Sequence, residues 1–173
     1  MKLSKKKGQT SMIDMLIASF LFIGLVTLIM VTWTNYNNRL NERLVYDQIQ
    51  IKAFQVSDLL VKSPGSPTNW EENISSLKVI GLADTDRILS RNKINAFANN
   101  LTNETIKKTL NLEDYNFYFL LNDTTFGIPP VKIYETGSKP NSTSTIAVNI
   151  RRYVILETGI FGMVREVQFI LWQ

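Results

Sequence analysis

Apolar positions crowd into one unbroken stretch, Met12 to Trp33, and elsewhere recur at regular intervals. The stretch is 22 residues long and carries one formal charge, Asp14. About 20 apolar residues carry a helix across a bilayer, so this pattern predicts a membrane-spanning helix. Leu16, Ile17, Ala18, Leu21, Leu25, Leu28 and Met30 favour the helix, while Ser19, Gly24 and Thr27 are small enough to let another helix approach closely. Trp33 and Tyr36 close the run and suit an interfacial aromatic belt. Gln9, Thr10 and Ser11 are placed to satisfy the first backbone amides. The remaining alternative is a buried helix of a soluble protein.

The helical spacing continues past Trp33 through Leu40, Leu44, Val45, Ile49, Val56, Leu59 and Leu60, and Pro64, Gly65 and Pro67 end it. One helix from about Ser11 to Lys62 is expected, roughly 75 Å long. That is more than a membrane requires, so its second half must lie against a head domain or against neighbours. The stretch from Ser63 to Trp70 opens the head, with Trp70 either a core plug that ties the turn to the sheet or standing exposed to bind a sugar or protein. Leu77 to Leu82 reads as a short strand. Lys93 to Ala98 reads as a short helix capped by Ser90, and Thr105 to Leu110 as another, capped by Thr102 or Asn103.

Alternation then changes to period two. Tyr115, Phe117, Phe119 and Leu121 alternate with Asn116, Tyr118, Leu120 and Asn122. Val131 to Tyr134 follows Pro129-Pro130, Ile146 to Leu156 is a longer strand, and Val164 to Trp172 is the last. A turn from Thr158-Gly159 to Gly162 predicts that the final two strands form a hairpin. The expected fold class is α+β: a long N-terminal hydrophobic α-helix, then a mainly antiparallel β-sheet head with short helices. The expected divisions are residues 1–8 as a basic leader, 9–62 as the long helix and 63–173 as the head.

Composition removes several functions from consideration. The 173 residues allow an anchor and one modest domain. Lys2, Lys5, Lys6 and Lys7 account for the whole net charge of +4, so the basic excess sits in a tail, and no nucleic-acid partner is expected. The chain has no Cys and no His, which removes thiolate chemistry, disulfides, the commonest general base and the commonest metal ligand. Asp84, Asp86, Glu113 and Asp114 lack the spacing of a calcium loop, and there is no Walker loop or GxGxxG. No enzyme activity, cofactor or metal is expected. Arg151-Arg152 and Arg165-Glu166 read as a cross-strand charged pair on the outer sheet face, with ligand capture as the alternative. Asn73, Asn100, Asn103, Asn122 and Asn141 each open an Asn-X-Ser/Thr sequon, and each is either a glycan acceptor or part of a bland polar loop.

The four lysines precede the apolar run, so the positive-inside rule places the N-terminus in the cytoplasm and the head outside. Gly8-Gln9 lies on the basic side of the run, whereas a secretory signal is cut after its apolar segment. Processing here would leave the helix in the mature protein. Asp14, two residues into the run, fits two roles. It is either an anion at headgroup level favoured by the helix dipole, or the partner of a positive charge on another subunit, such as a free amino group at Gln9.

Lys6-Lys7-Gly8-Gln9-Thr10-Ser11 followed by a long apolar helix resembles the class III signal sequence of archaeal type IV prepilins. That motif covers about 30 residues. Pro64 to Glu71, Ile80-Gly81-Leu82-Ala83 and the closing strand with Trp172 resemble pilin-like heads more weakly. The resemblance implies cleavage between Gly8 and Gln9, with Lys7 before the cut, by a prepilin-type membrane aspartic peptidase. It implies assembly of the helices into an adhesive surface filament with identical or related subunits, powered indirectly by a cytoplasmic ATPase and its membrane platform. The family usually places Glu four residues after the Gln. Here Ile13 holds that position and the acid is Asp14, rotated about 100° on the helix; the shift fits a minor or specialised subunit. The alternative function is a non-polymerising single-pass membrane protein with an extracellular binding or sensory domain.

Overall fold

The computed structural model describes residues 5–123, 131–142, 144, 146–158 and 161–173; for 5–11, 131, 158 and 161 it describes the backbone alone. Pro129-Pro130 and Gly159 of the expected turn lie outside the described residues. The chain divides into two units, Met1–Val45 and Tyr46–Gln173. Helix α1 (Lys5–Lys62) supplies the described part of the first unit and the opening of the second. It begins earlier than Gln9, Thr10 or Ser11, and it ends at Lys62 as the following prolines require.

In the second unit, β1 (Ala83–Thr85), β2 (Ile88–Leu89), α2 (Arg91–Asn95) and α3 (Asn103–Thr109) precede β3 (Asn116–Asp123), β4 (Val131–Gly137), β5 (Ala147–Thr158) and β6 (Phe161–Trp172). One sheet runs in the order β1-β2-β5-β6-β3-β4. Among the described residues its only parallel pairing is β2 with β5, so the α+β reading with a mainly antiparallel sheet holds. The hairpin of β5 and β6 pairs Ala147 with Trp172 through to Thr158 with Phe161.

The core is built where a helical stripe meets a period-two face. Ile49, Ala53, Val56 and Leu60 follow one another by three or four residues on α1 and are buried. They join Phe117, Phe119 and Leu121 of β3, Val148, Ile150, Val154 and Leu156 of β5, and Val167, Phe169 and Leu171 of β6. The opposite face of β3 is covered as well. Tyr118, Leu120 and Asn122 are buried there too. Long neighbouring side chains roof it: Lys139 lies over the Tyr118 ring, and Glu135 takes the Tyr118 hydroxyl hydrogen at 2.8 Å.

Leu77 to Leu82 is not the expected strand. Its single ladder contact joins Val79 to Ser66. Beyond it the backbone hydrogen bonds go to the end of α1 instead. The N–H groups of Leu82, Ala83 and Arg87 donate to the carbonyls of Leu60, Ser63 and Val61. The helix end would otherwise leave those carbonyls orphaned. Gly81 permits this approach, because a Cβ there would stand 2.2 Å from the Ser63 carbonyl oxygen. Trp70 is fully buried and donates its indole N–H to the Gly81 carbonyl at 2.9 Å. It is a core plug, and it ties the turn to this connection rather than to the sheet.

The short helices stand near their expected places. Ser90 occupies the cap position of α2 without a side-chain cap bond, and a π-turn over Ala96–Asn100 carries the chain on. Thr102 caps α3 by accepting the Thr105 amide.

Candidate functional sites

The apolar half of α1 is exposed on every side. Met12, Leu16, Phe20, Ile23, Leu25, Leu28 and Val31 each present more than half of their surface. A helix that is apolar all round suits lipid or close-packed neighbours rather than water. Its hydroxyls are satisfied within the helix: Ser19, Thr27, Thr32 and Thr34 each donate to the carbonyl four residues earlier, at 2.8–2.9 Å. In hydrocarbon an unsatisfied hydroxyl would be costly, so this back-bonding removes that obstacle to burial. Asp14 is exposed on this helix and has no ion-pair partner among the described residues. Lys7, Gly8 and Gln9 lie on helical backbone, and their side chains are outside the described residues.

The five sequons fall in different settings. Asn73, Asn100, Asn103 and Asn141 are exposed. Asn73 opens a 3-10 turn, Asn100 ends the π-turn, and Asn103 starts α3. Asn141 hydrogen-bonds with Ser144 in a loop. Asn122 is 9% exposed within β3, between Lys132 on one neighbouring strand and Glu166 on the other. The hydroxyl residues of the Asn122 and Asn141 sequons, Thr124 and Thr143, lie outside the described residues.

The four charged residues at 151, 152, 165 and 166 do not form one outer-face cluster. Strand alternation sends neighbours to opposite faces. Arg151 reaches Glu166 at 3.5 Å on the outer face. Arg165 is buried and pairs with Asp123. Arg152 turns to α1, with Nη2 2.8 Å from Asp58 and its guanidinium 5.2 Å from the Phe54 ring centre. Lys62 holds the same Asp58 carboxylate at 2.8 Å. The hydrogen bond from Lys62, followed by the charge of Arg152, keeps the Asp58 carboxyl below its ordinary value against the opposing effect of desolvation.

Asp58, Lys62 and Arg152 wall a cleft of about 360 Å³ in the second unit, completed by Val61, Arg87, Arg151 and Tyr153. Asp58, Lys62 and Arg87 were not singled out from the sequence. Asp58-Lys62 does carry the four-residue spacing of a helix ion pair, but nothing local announces that Arg87 turns toward it. A separate cluster lies on the sheet margin, where Glu135 accepts from Tyr118 and Lys132. Burial first, and the bond to Glu135 second, push the Tyr118 phenol above its ordinary value. The Lys132 hydrogen bond, and then that of Tyr118, lower the Glu135 carboxyl.

Compared with protein-family models, curated proteins and solved structures, the chain matches none.

Proposed function

We propose that this chain is a pilin-like structural subunit. Its helix holds it in the membrane after synthesis and then packs among sister helices in a cell-surface filament used for adhesion. The observation that carries the reading is the all-round exposure of the apolar helix residues from Met12 to Val31, in a helix whose continuation is built into a folded head. Covering such a surface is favourable by about 25 cal/mol per Å² of apolar area, whether lipid or neighbouring helices do it. The Gly8-Gln9 junction on the basic side supports retention of that helix after processing by a prepilin-type peptidase.

N-terminal sequencing of the mature protein, with electron microscopy of cells that express it and cells that lack it, tests the proposal. A start at Gln9, together with filaments that contain the chain, is expected. An intact Met1, with the chain solitary in membranes, would leave the non-polymerising single-pass reading in its place.

A further inference from the structure

We infer that the cleft walled by Lys62, Arg87, Arg151, Arg152 and Tyr153 binds an acidic sugar, a ring bearing a carboxylate or a sulfate ester. This names a target for the adhesive role proposed above, and it rests on that reading only for placing the head outside the cell.

The charge balance of the cleft is positive. Four cations line it with one carboxylate, and Asp58 is already held by both Lys62 and Arg152 at 2.8 Å. Glu166 offsets Arg151 only across 3.5 Å, and the Arg151 side chain is 64% exposed. Among the described residues, no carboxylate lies within ion-pair distance of Arg87. Guanidinium groups present paired donors that match a carboxylate or sulfate, so this excess favours an oxyanion.

The Arg87 backbone and the Arg152 side chain are also held in place. Arg87 sits at φ +61°, a left-handed conformation that side chains other than Gly seldom adopt. Its backbone is pinned there on both sides. The N–H donates to Val61 at 3.0 Å, and the carbonyl accepts from Ile155 at 2.8 Å. Strain maintained by surrounding bonds is a recurring feature of ligand sites. Arg152 is fixed between Asp58 and the Phe54 ring.

Tyr153 supplies the apolar surface a sugar ring needs, since it is 67% exposed beside these charges. The cleft opens where β2 meets β5 only at Ile155 and Leu156, which leaves the edge of β5 at Arg151–Tyr153 without a partner strand among the described residues. At about 360 Å³ the space lies near the small end of ligand pockets, which suits a sugar ring and its anion.

Titration calorimetry of the full chain in detergent micelles tests this, using oligogalacturonate, a heparin-derived hexasaccharide, a neutral dextran oligomer and a poly-Glu peptide of matched charge. At least one acidic oligosaccharide is expected to bind tenfold or more tighter than the neutral one, and less tightly as salt rises. Preference for the uronate or for the sulfated oligomer supports the site. R87Q and R151Q should each weaken binding at least fivefold with unchanged thermal unfolding. Y153A should weaken it severalfold while leaving the salt dependence unchanged, because the ring carries no charge. Equal binding of acidic and neutral oligomers, unaltered binding in R87Q and R151Q, or equal binding of the peptide would overturn the assignment. Micelles hold the chain before any filament forms, so failure to bind and failure to polymerise are separate results.

Discussion

Arg152 lies with Nη2 2.8 Å from Asp58 Oδ1, which fastens strand β5 to the last turns of helix α1. Both side chains keep contact with solvent, at 29% and 40% exposure, so the bond contributes modestly. A double-mutant cycle of D58N and R152Q should give a coupling of about 1 kcal/mol or less by urea unfolding. The pH dependence has a definite sign. The Asp58 carboxyl is lowered from its ordinary 3.8 in the folded chain. Its contribution is therefore complete above that ordinary value and is lost as pH falls through the lower folded value. D58N should flatten the acid limb of the stability curve and leave the neutral limb parallel to wild type.

The Trp70 indole and the Gly81 carbonyl form the second fastening, and here burial is complete. Trp70→Phe keeps most of the volume but leaves a carbonyl without its donor, at a cost of about 1–3 kcal/mol. Trp70→Ala adds a cavity and should cost about 3–5 kcal/mol. Gly81→Ala strikes backbone rather than side chain, since the new Cβ would meet Ser63 O at 2.2 Å and Gly65 N at 2.4 Å. It should open the connection locally. Hydrogen exchange is expected to speed up first at Leu82 and Ala83, whose amides bond to the end of α1.

The reach of sequence reasoning follows from how local each feature is. The long helix, its stop at Lys62 and the β5–β6 hairpin were legible, because each is written in one periodic run with turn residues after it. The Leu77–Leu82 segment misled because apolar content alone implied a ladder. The Lys78 and Val79 amides go to Ser66 and the Leu82 amide goes to Leu60 at the helix end, some twenty residues earlier in the chain, and no local pattern reports that. The alternation along β3 did not report that Tyr118 and Leu120 are buried as well. Their burial depends on which strands flank β3 and on long side chains from β4 and the loop after it. The cleft was half legible. Arg151-Arg152 stood out as a pair, while Asp58 joins it from α1 through Arg152 and Arg87 joins it through the parallel pairing of β2 with β5.

Tyr118 and Glu135 predict a second pH effect, at the alkaline end. The Tyr118 phenol is raised above its ordinary 10.0, by burial first and by its bond to Glu135 second. Stability from the neutral phenol is complete below the ordinary value and declines as pH rises toward the folded one. Carbon-13 tyrosine NMR should show Tyr118 ionising late. Glu135→Gln should move it back only partway, because burial remains.

The sequons differ in how they can be occupied. A glycan on Asn122 would have to displace strand β3, because the side chain is buried between β4 and β6. Asn73, Asn100, Asn103 and Asn141 present their side chains to solvent. In a glycosylating host, peptide mass spectrometry should place any modification among these four and none on Asn122. Asn122→Gln should leave the glycan mass unchanged while weakening the fold.

Helix α1 carries two kinds of apolar residue, and substitutions should separate them. Leu25 stands in the middle of the Met12–Trp33 run and is 58% exposed, so it contributes nothing to the head core. Leu25→Arg places a charge where bilayer insertion costs about 2.5–3.5 kcal/mol more. The carbonate-resistant membrane fraction should fall, while thermal unfolding of the detergent-solubilised head stays within error of wild type. Leu60 is fully buried among the residues that build that core. Leu60→Ala should cost about 2–5 kcal/mol of head stability and leave membrane retention intact. If Leu25→Arg lowered head stability as Leu60→Ala does, the apolar run would be serving as ordinary core. The membrane role of the first unit would then have to be abandoned.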